Sequence, residues 1–360
     1  MDNKFQAFIE GNGPKNISGA DRDVVQHWIL GTLSSIVTWA CALCMSNHPT
    51  QQGQGSVAID ERVQRLLNNL GQAIVGKEKP LKLALVALFS GGHALLEDVP
   101  GVGKTLLAKS LASSIDGTFQ RVQFTPDLLP SDVTGTNIWN PKNGTFDFMA
   151  GPVFANVLLA DEINRATPRT QASLLEVMEE HQVTIDGITR KVQEPFFVIA
   201  TQNPVEYQGT FPLPEAQLDR FALSFSLGYP TEEEELTMLQ RLQSGTLGGP
   251  LNACLSLEEV QAIRKGVAKI PVSDALQRYI LALVRTTRED KQITLGVSPR
   301  GAVALQKAVQ ALTYLEGRPY PEPDDIKWLA PAVLSHRLIP ASGQSRVQIV
   351  KRLLDTVSVP

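Results

Sequence analysis

Leu96-Glu97-Asp98-Val99-Pro100-Gly101-Val102-Gly103-Lys104-Thr105 is the stretch on which the fold turns. The apolar run His93 to Glu97 leads into it and the helical run Lys104 to Ile115 leads out, so both glycines sit in a strand-to-helix turn. Backbone N–H groups of such a turn cradle phosphates, a lysine reaches the terminal phosphates, and a hydroxyl ligates Mg2+. Pro100, Gly101, Val102, Gly103, Lys104, Thr105 and Leu106 are therefore the expected phosphate contacts, with Thr105 as a metal ligand. The strict pattern G-x-x-x-x-G-K-[ST] asks for glycine at position 98, where this chain has Asp98, a residue that precedes the wrapping part of the loop. An ordinary turn followed by a solvated lysine is the competing reading. A cation in the first turn of a helix is opposed by the macrodipole, however, so Lys104 asks for an anion, and phosphate is that anion.

Further short apolar runs at Phe119 to Thr125, Asn156 to Asp161, Phe196 to Thr201 and Ala222 to Leu227 read as buried strands separated by helical patterns. Such alternation predicts an α/β domain with a largely parallel sheet. Val157-Leu158-Leu159-Ala160-Asp161-Glu162 ends in two carboxylates, which a strand tip would deliver to the crevice where α/β sheets bind ligands. Asp161 would hold Mg2+ through water and Glu162 would polarise the attacking water. A solvated turn is the plain alternative, and it weakens beside a phosphate loop. Val198 to Pro204 is another apolar strand running into amides. Asn203 there can donate one hydrogen bond to a γ-phosphate oxygen or the lytic water and accept another; a turn-forming Asn-Pro pair competes with that role.

Two arginines extend the constellation. Arg220 lies just before the last strand, and an ion pair with Asp219 or with the acids Glu232 to Glu235 would explain it equally well. Arg300 follows Ser298 and Pro299, which suit the cap and first position of a helix, so it meets the same dipole argument as Lys104.

Composition bounds the remaining choices. The 360 residues are 43% apolar and 19% charged, enough for two cores, which rules out a disordered or disulfide-stapled chain. A net charge of −4 argues against a surface devoted to neutralising phosphates, although a local basic patch fits inside a balanced total. Three cysteines make no disulfide framework and fit a reducing compartment, so the expected location is cytoplasmic. Cys41-x-x-Cys44 with His48 lacks a fourth ligand, and the metal reading is set aside. Residues 1 to 55 form an extension unlike the rest, with 18 uncharged residues from Trp28 to Met45. As a helix that run spans roughly 27 Å, marginal for a bilayer. A weak membrane anchor, a helix packed on the domain, and sequence upstream of a start at Met45 are the three readings, and the last is slightly favoured.

Asn143-Gly144 and Asp186-Gly187 each join alternating apolar residues and predict two hairpins inserted in the α/β pattern. After Pro230 the strands are expected to stop. Thr231-x-x-Glu234 and Ser256-x-x-Glu259 are capping boxes, so the α/β domain is placed at 57–230 and a small all-helical domain at 231–360.

Taken together, these motifs resemble the AAA+ ATPases and the MoxR family in particular. Ile74-Val75-Gly76, Leu96 to Thr105, Asp161-Glu162-Ile163-Asn164-Arg165-Ala166, Ala200 to Pro204, Pro214 to Phe221 and Ser298-Pro299-Arg300 carry the likeness in order across roughly 57 to 360. The resemblance implies a P-loop ATPase domain followed by a helical lid, with Val75 and Gly76 among the nucleotide contacts. It implies hydrolysis of ATP with Mg2+ in a homo-hexameric ring, an arginine finger at Arg220 acting on the neighbour's γ-phosphate, and a second phosphate sensor at Arg300. It further implies chaperone-like remodelling of a protein client with a von Willebrand factor A partner. The hairpins resemble the clade's helix-2 insert, about 135 to 150, and pre-sensor-1 insert, about 182 to 193. A DNA-directed ring motor is an alternative left open by Arg190 and Lys191, and a nucleotide-gated scaffold without useful turnover is another.

Overall fold

The computed structural model describes residues 60–203, 209–245, 251–341 and 343–359. The run Trp28 to Met45, with Cys41, Cys44 and His48, lies outside the described residues. Among those described, no helix is long and apolar enough to cross a membrane.

Two helices open the fold, α1 (Glu61–Ala73) and α2 (Glu78–Phe89). The α/β part then runs β1 (Ala94–Glu97), α3 (Lys104–Ser114), β2 (Phe119–Gln123), α4 (Pro130–Thr134), β3 (Gly135–Asn140), β4 (Thr145–Ala150), β5 (Val157–Asp161), α5 (Pro168–Glu180), β6 (Gln182–Ile185), β7 (Ile188–Lys191), β8 (Phe197–Gln202), α6 (Glu215–Leu218) and β9 (Leu223–Phe225). The remainder comprises α7 (Glu232–Gln243), α8 (Leu257–Val267), α9 (Asp274–Glu289), β10 (Ile293–Leu295), α10 (Pro299–Leu315), α11 (Pro323–Leu334), β11 (Ile339–Pro340) and α12 (Arg346–Thr356).

Five strands form one parallel sheet in the order β2-β5-β8-β1-β9. Alternation along each strand divides the core in two. Ala94, Leu96, Val157 and Leu159 face one cluster with α1, α2, α3 and the lid helices, while Leu95, Leu158 and Ala160 face a second cluster with α5. Strands covered on both faces are apolar throughout, which is why the central ones were readable as runs. The edge strand departs from that expectation. Of β2 only Val122 is buried, Arg121 and Gln123 are exposed, and among the described residues no strand pairs with its outer edge.

The hairpin β3–β4 turns through four residues with only Gly144 at positive φ, so Asn143-Gly144 is not a two-residue turn. Asp186-Gly187 is one, both residues having positive φ as a type I′ turn requires. The expectation of an all-helical segment after Pro230 needs a correction. β10 and β11 pair there as a short antiparallel ladder, three and two residues long, too brief to leave a periodic signal.

Asp98 explains the departure from the glycine pattern. Its buried carboxylate accepts hydrogen bonds from Ser226 Oγ (2.5 Å), Leu227 N (2.6 Å) and Gly228 N (3.2 Å), fastening the root of the phosphate loop to the segment after β9. Its backbone is not among the positive-φ positions, so glycine has no conformational advantage there. Asp98→Gly, which restores the strict motif, is therefore expected to destabilise the protein by about 2–4 kcal/mol through three unpaired donors. An unchanged urea midpoint would refute that account.

Two buried histidines set an acid limit. His93 accepts from Val198 N at Nδ1 (3.1 Å) and its Nε2 lies 3.1 Å from Met178 O; burial pushes its pKa down to about 3. His336 is held well below the ordinary value by burial and by neighbouring Arg337. The unfolded chain takes up protons at about pH 6.5 that the fold refuses, so stability is complete above that pH and falls below it. Unfolding measured at pH 7 and pH 5 should differ by about 2 kcal/mol per buried histidine, and His93→Asn should remove one share of that difference.

Candidate functional site

Parallel pairing brings the carboxyl ends of β5, β8 and β1 to one edge of the sheet, with neighbouring tips about 4.8 Å apart. Those tips carry Asp161 and Glu162, Gln202 and Asn203, and Glu97 and the phosphate loop. Gly101 and Gly103 adopt φ of +89° and +97°, and a Cβ added to either would meet nothing within 4 Å. The loop thus has open space beside both glycines and leads into the start of α3, a setting suited to phosphate. Lys104 Nζ lies over the loop, donating to Asp98 O (3.0 Å) and Val99 O (3.3 Å), with Thr105 and Leu106 following in the first helical turn. Val75 and Gly76 fall in the turn between α1 and α2. A cavity there is lined by Gly76, Lys77, Leu67 and Leu81.

Thr201 organises the acidic tip. Its hydroxyl donates to Asp161 Oδ1 (2.7 Å) and accepts from Glu162 N (2.9 Å), so one side chain on β8 orients both carboxylate residues at the end of β5. Arg121 donates to Asp161 Oδ2 from Nη2 (2.6 Å) and Nε (3.2 Å). Glu162 has φ of +58°, an uncommon conformation for a non-glycine residue that turns its side chain off the strand axis. Gln123 Nε2 (2.8 Å) and Arg165 Nε (2.9 Å) both reach Glu162 Oε2. Asn203 shares a cavity with Glu97, Asn164 and Gln202, and Gln202 donates to Glu97 Oε1 (2.5 Å). Arg121, Gln123 and Thr201 were missed in the sequence. The available signal was the polar alternation of β2 beside a strand ending in carboxylates.

The two arginines stand elsewhere. Arg220 precedes β9, whose first residue pairs in register with Ala94 at the amino end of β1. Its Nε donates to Glu179 Oε2 (3.0 Å), and Arg300 Nη2 pairs with Glu179 Oε1, so one carboxylate at the end of α5 holds both guanidinium groups. Neither Asp219 nor the acids Glu232 to Glu235 is the partner of Arg220. The anion that Arg300 needs at its helix start is Glu179, likewise unforeseen. Asp219 instead accepts from Ser298 Oγ (2.7 Å), the cap of α10, and from buried Arg337 Nε (2.7 Å). It fixes the start of the helix that carries Arg300. Burial lowers the pKa of Arg337, and Asp219 opposes that shift. The length of β1, about 13 Å, separates this cluster from the chain's own phosphate loop.

Comparison with known proteins gives these features a lineage. Residues 93–223 match the model of the ATPase family associated with various cellular activities (AAA), and residues 285–353 match an AAA lid domain. Chaperone MoxR1 of Mycobacterium tuberculosis is 39% identical, covering 87% of this chain and 86% of its own. The Bacillus subtilis protein YeaC is 46% identical over 82% of this chain and 94% of its own. The crystal structure of a Cytophaga hutchinsonii protein named as an ATPase superposes with a TM-score of 0.78 at 39% identity, covering 83% of this chain and 95% of that one. With an AAA model and an AAA lid model matched in turn along it and a chaperone MoxR1 relative at 39% identity over most of its length, the chain belongs to the MoxR family of AAA+ ATPases and is an ATP hydrolase.

Proposed function

We propose that the chain hydrolyses ATP to ADP and phosphate with Mg2+ in a homo-oligomeric ring, each site being finished by the next subunit, and uses the cycle to remodel a protein client. The observation that carries this reading is the position of Arg220 and Arg300 at the opposite end of β1 from their own phosphate loop.

Lys104 and the loop N–H groups grip the triphosphate. The hydroxyl of Thr105 and, through water, Asp161 suit Mg2+, which when bound draws negative charge from the phosphate oxygens. Glu162, steered by Gln123 and Arg165, takes a proton from the attacking water, and Asn203 holds that water or a γ-phosphate oxygen. Arg220 and Arg300 leave Glu179 for the γ-phosphate of the neighbour, where such an arginine is worth about 10³ to 10⁵ in rate. A hexamer and a von Willebrand factor A partner belong to this reading through the family resemblance, as does the chaperone role named for the mycobacterial relative, and a cytoplasmic location belongs to it through the cysteine usage.

A protein client is favoured over DNA by the hairpins. Ile138, Trp139, Phe146, Met149 and Ile188 are all exposed on them, whereas Arg190 is stacked 4.0 Å over Phe148. Asn137 on one hairpin donates to Asp186 on the other (2.6 Å), which ties the two hairpins together.

Glu162→Gln should bind ATP with ordinary affinity and release no phosphate. If it turns over ATP at the unaltered rate, Glu162 is not the base. Arg220→Ala should be comparably inactive alone, yet mixing it with Glu162→Gln should restore turnover. Roughly a quarter of the interfaces in a random mixture then pair an intact Glu162 with an intact Arg220. Arginines acting within their own subunit would give no restoration.

A further inference from the structure

Helix α7 is anomalous. None of its side chains is buried, and Leu236, Leu239 and Leu242 are exposed at 55%, 63% and 63%. Helical spacing puts Glu232, Glu235, Leu236, Leu239 and Leu242 along one side, giving an apolar stripe with an acidic head. The helix is anchored from its other side. Glu234 sits against Gly76 and 3.7 Å from Lys77, whose Nζ donates to Tyr229 O (2.7 Å), and Arg241 donates to Gln72 O (2.5 Å). Helix α7 therefore stands beside Gly76, one of the expected nucleotide contacts, with its stripe on the side turned away from that anchor.

A groove with the opposite character lies on the face that carries Arg300. It is about 510 Å³, formed by α8, α9 and α10, with Val267, Ile280, Leu281 and Val303 among its apolar walls. Leu281 and Val303 are 49% and 55% exposed. Arg264 enters it from below. Its Nε donates to Leu88 O (2.9 Å), but its buried Nη2 has no hydrogen-bond partner among the described residues, a costly state for a guanidinium. Lys307 adds a second cation at the rim. Arg300, Val303 and Lys307 fall on one stripe of α10, and Val303 and Lys307 also line the cleft containing Arg220. The groove is continuous with the arginine cluster.

We propose that helix α7 of one subunit docks in the α8–α9–α10 groove of the next, its leucines filling the apolar walls and its first-turn glutamates meeting Lys307 at the rim. The inference rests on the reading of Arg220 and Arg300 as groups that serve a neighbour. If α10 directs Arg300 to a neighbour's triphosphate, the residues one and two turns further along it face the Gly76 side of that nucleotide site, where α7 stands. The acid-headed apolar stripe and the groove lie on different parts of the chain, so the contact is head-to-tail, the type that closes rings.

The test uses the full chain in the Glu162→Gln background with ATP, assembly being followed by mass photometry. Leu236→Glu with Leu239→Glu, and separately Val303→Glu, should raise the concentration at half assembly by about tenfold or more, since the first sets carboxylates against apolar walls and the second sets one among the docked leucines. Fluorescent-ADP binding by single subunits should be unchanged, and thermal midpoints too, because the residues replaced are exposed. In a Cys41→Ser, Cys44→Ser, Cys254→Ser background, Leu239→Cys subunits mixed with Val303→Cys subunits should form covalent pairs on oxidation, and neither alone should. Parent-like assembly of the glutamate variants, or no covalent pair between Leu239→Cys and Val303→Cys subunits, overturns the docking. When mixing Arg220→Ala with Glu162→Gln restores turnover but the α7 variants assemble normally, only the docking fails. When that mixing restores nothing, the reading beneath it fails as well.

Discussion

Parallel strand pairing is the constraint on which the rest depends. Because β5, β8, β1 and β9 run in one direction, all their carboxyl ends share one edge of the sheet and all their amino ends the other. Groups that follow strands, such as the phosphate loop, Glu162 and Asn203, gather on the first edge without further instruction. Groups that precede strands, such as Arg220, are carried to the second. The same rule that builds a site thus divides its components between two ends of one chain.

Buried polar side chains convert this coarse placement into fixed geometry. Asp98 ties the loop root to the segment after β9, Thr201 joins two strand tips, and Asp219 bridges the cap of α10 and Arg337. Each meets several partners, which is the condition for a polar group to be tolerated out of water. Asp60 does similar work at the start of α1, where Arg62 holds its carboxyl far below the usual carboxylate range and Tyr314 Oη donates to it from the lid (2.6 Å). The α/β layer and the lid helices share one continuous apolar cluster.

Much of this was legible in the residues themselves, for identifiable reasons. The central strands are buried on both faces and so spell uninterrupted apolar runs, and Gly101 and Gly103 mark a turn that few other residues can make. Capping boxes at Thr231 and Ser256 appear as written. What escaped was set by tertiary contact. β2 reads as buried until its edge position is known, and β10 and β11 are too short to show a period. Glu179 lies on α5, far along the chain from Arg220 and Arg300, and nothing near it in sequence announces that both would converge there. Asp98 is the converse case, a motif violation whose meaning appears only when the segment after β9 folds over it.

Glu179 has one more effect. The cleft beside it gathers Arg220, Arg300, Lys307 and Arg337 about two carboxylates among the described residues, Glu179 and Asp219. A surplus of positive charge therefore remains even while Glu179 is fully engaged, and it creates a field that reaches over a Debye length, roughly 8 Å at physiological ionic strength. Encounter with an anionic surface is guided by that field before any atom touches, and raising salt slows the approach without altering the shape of what meets.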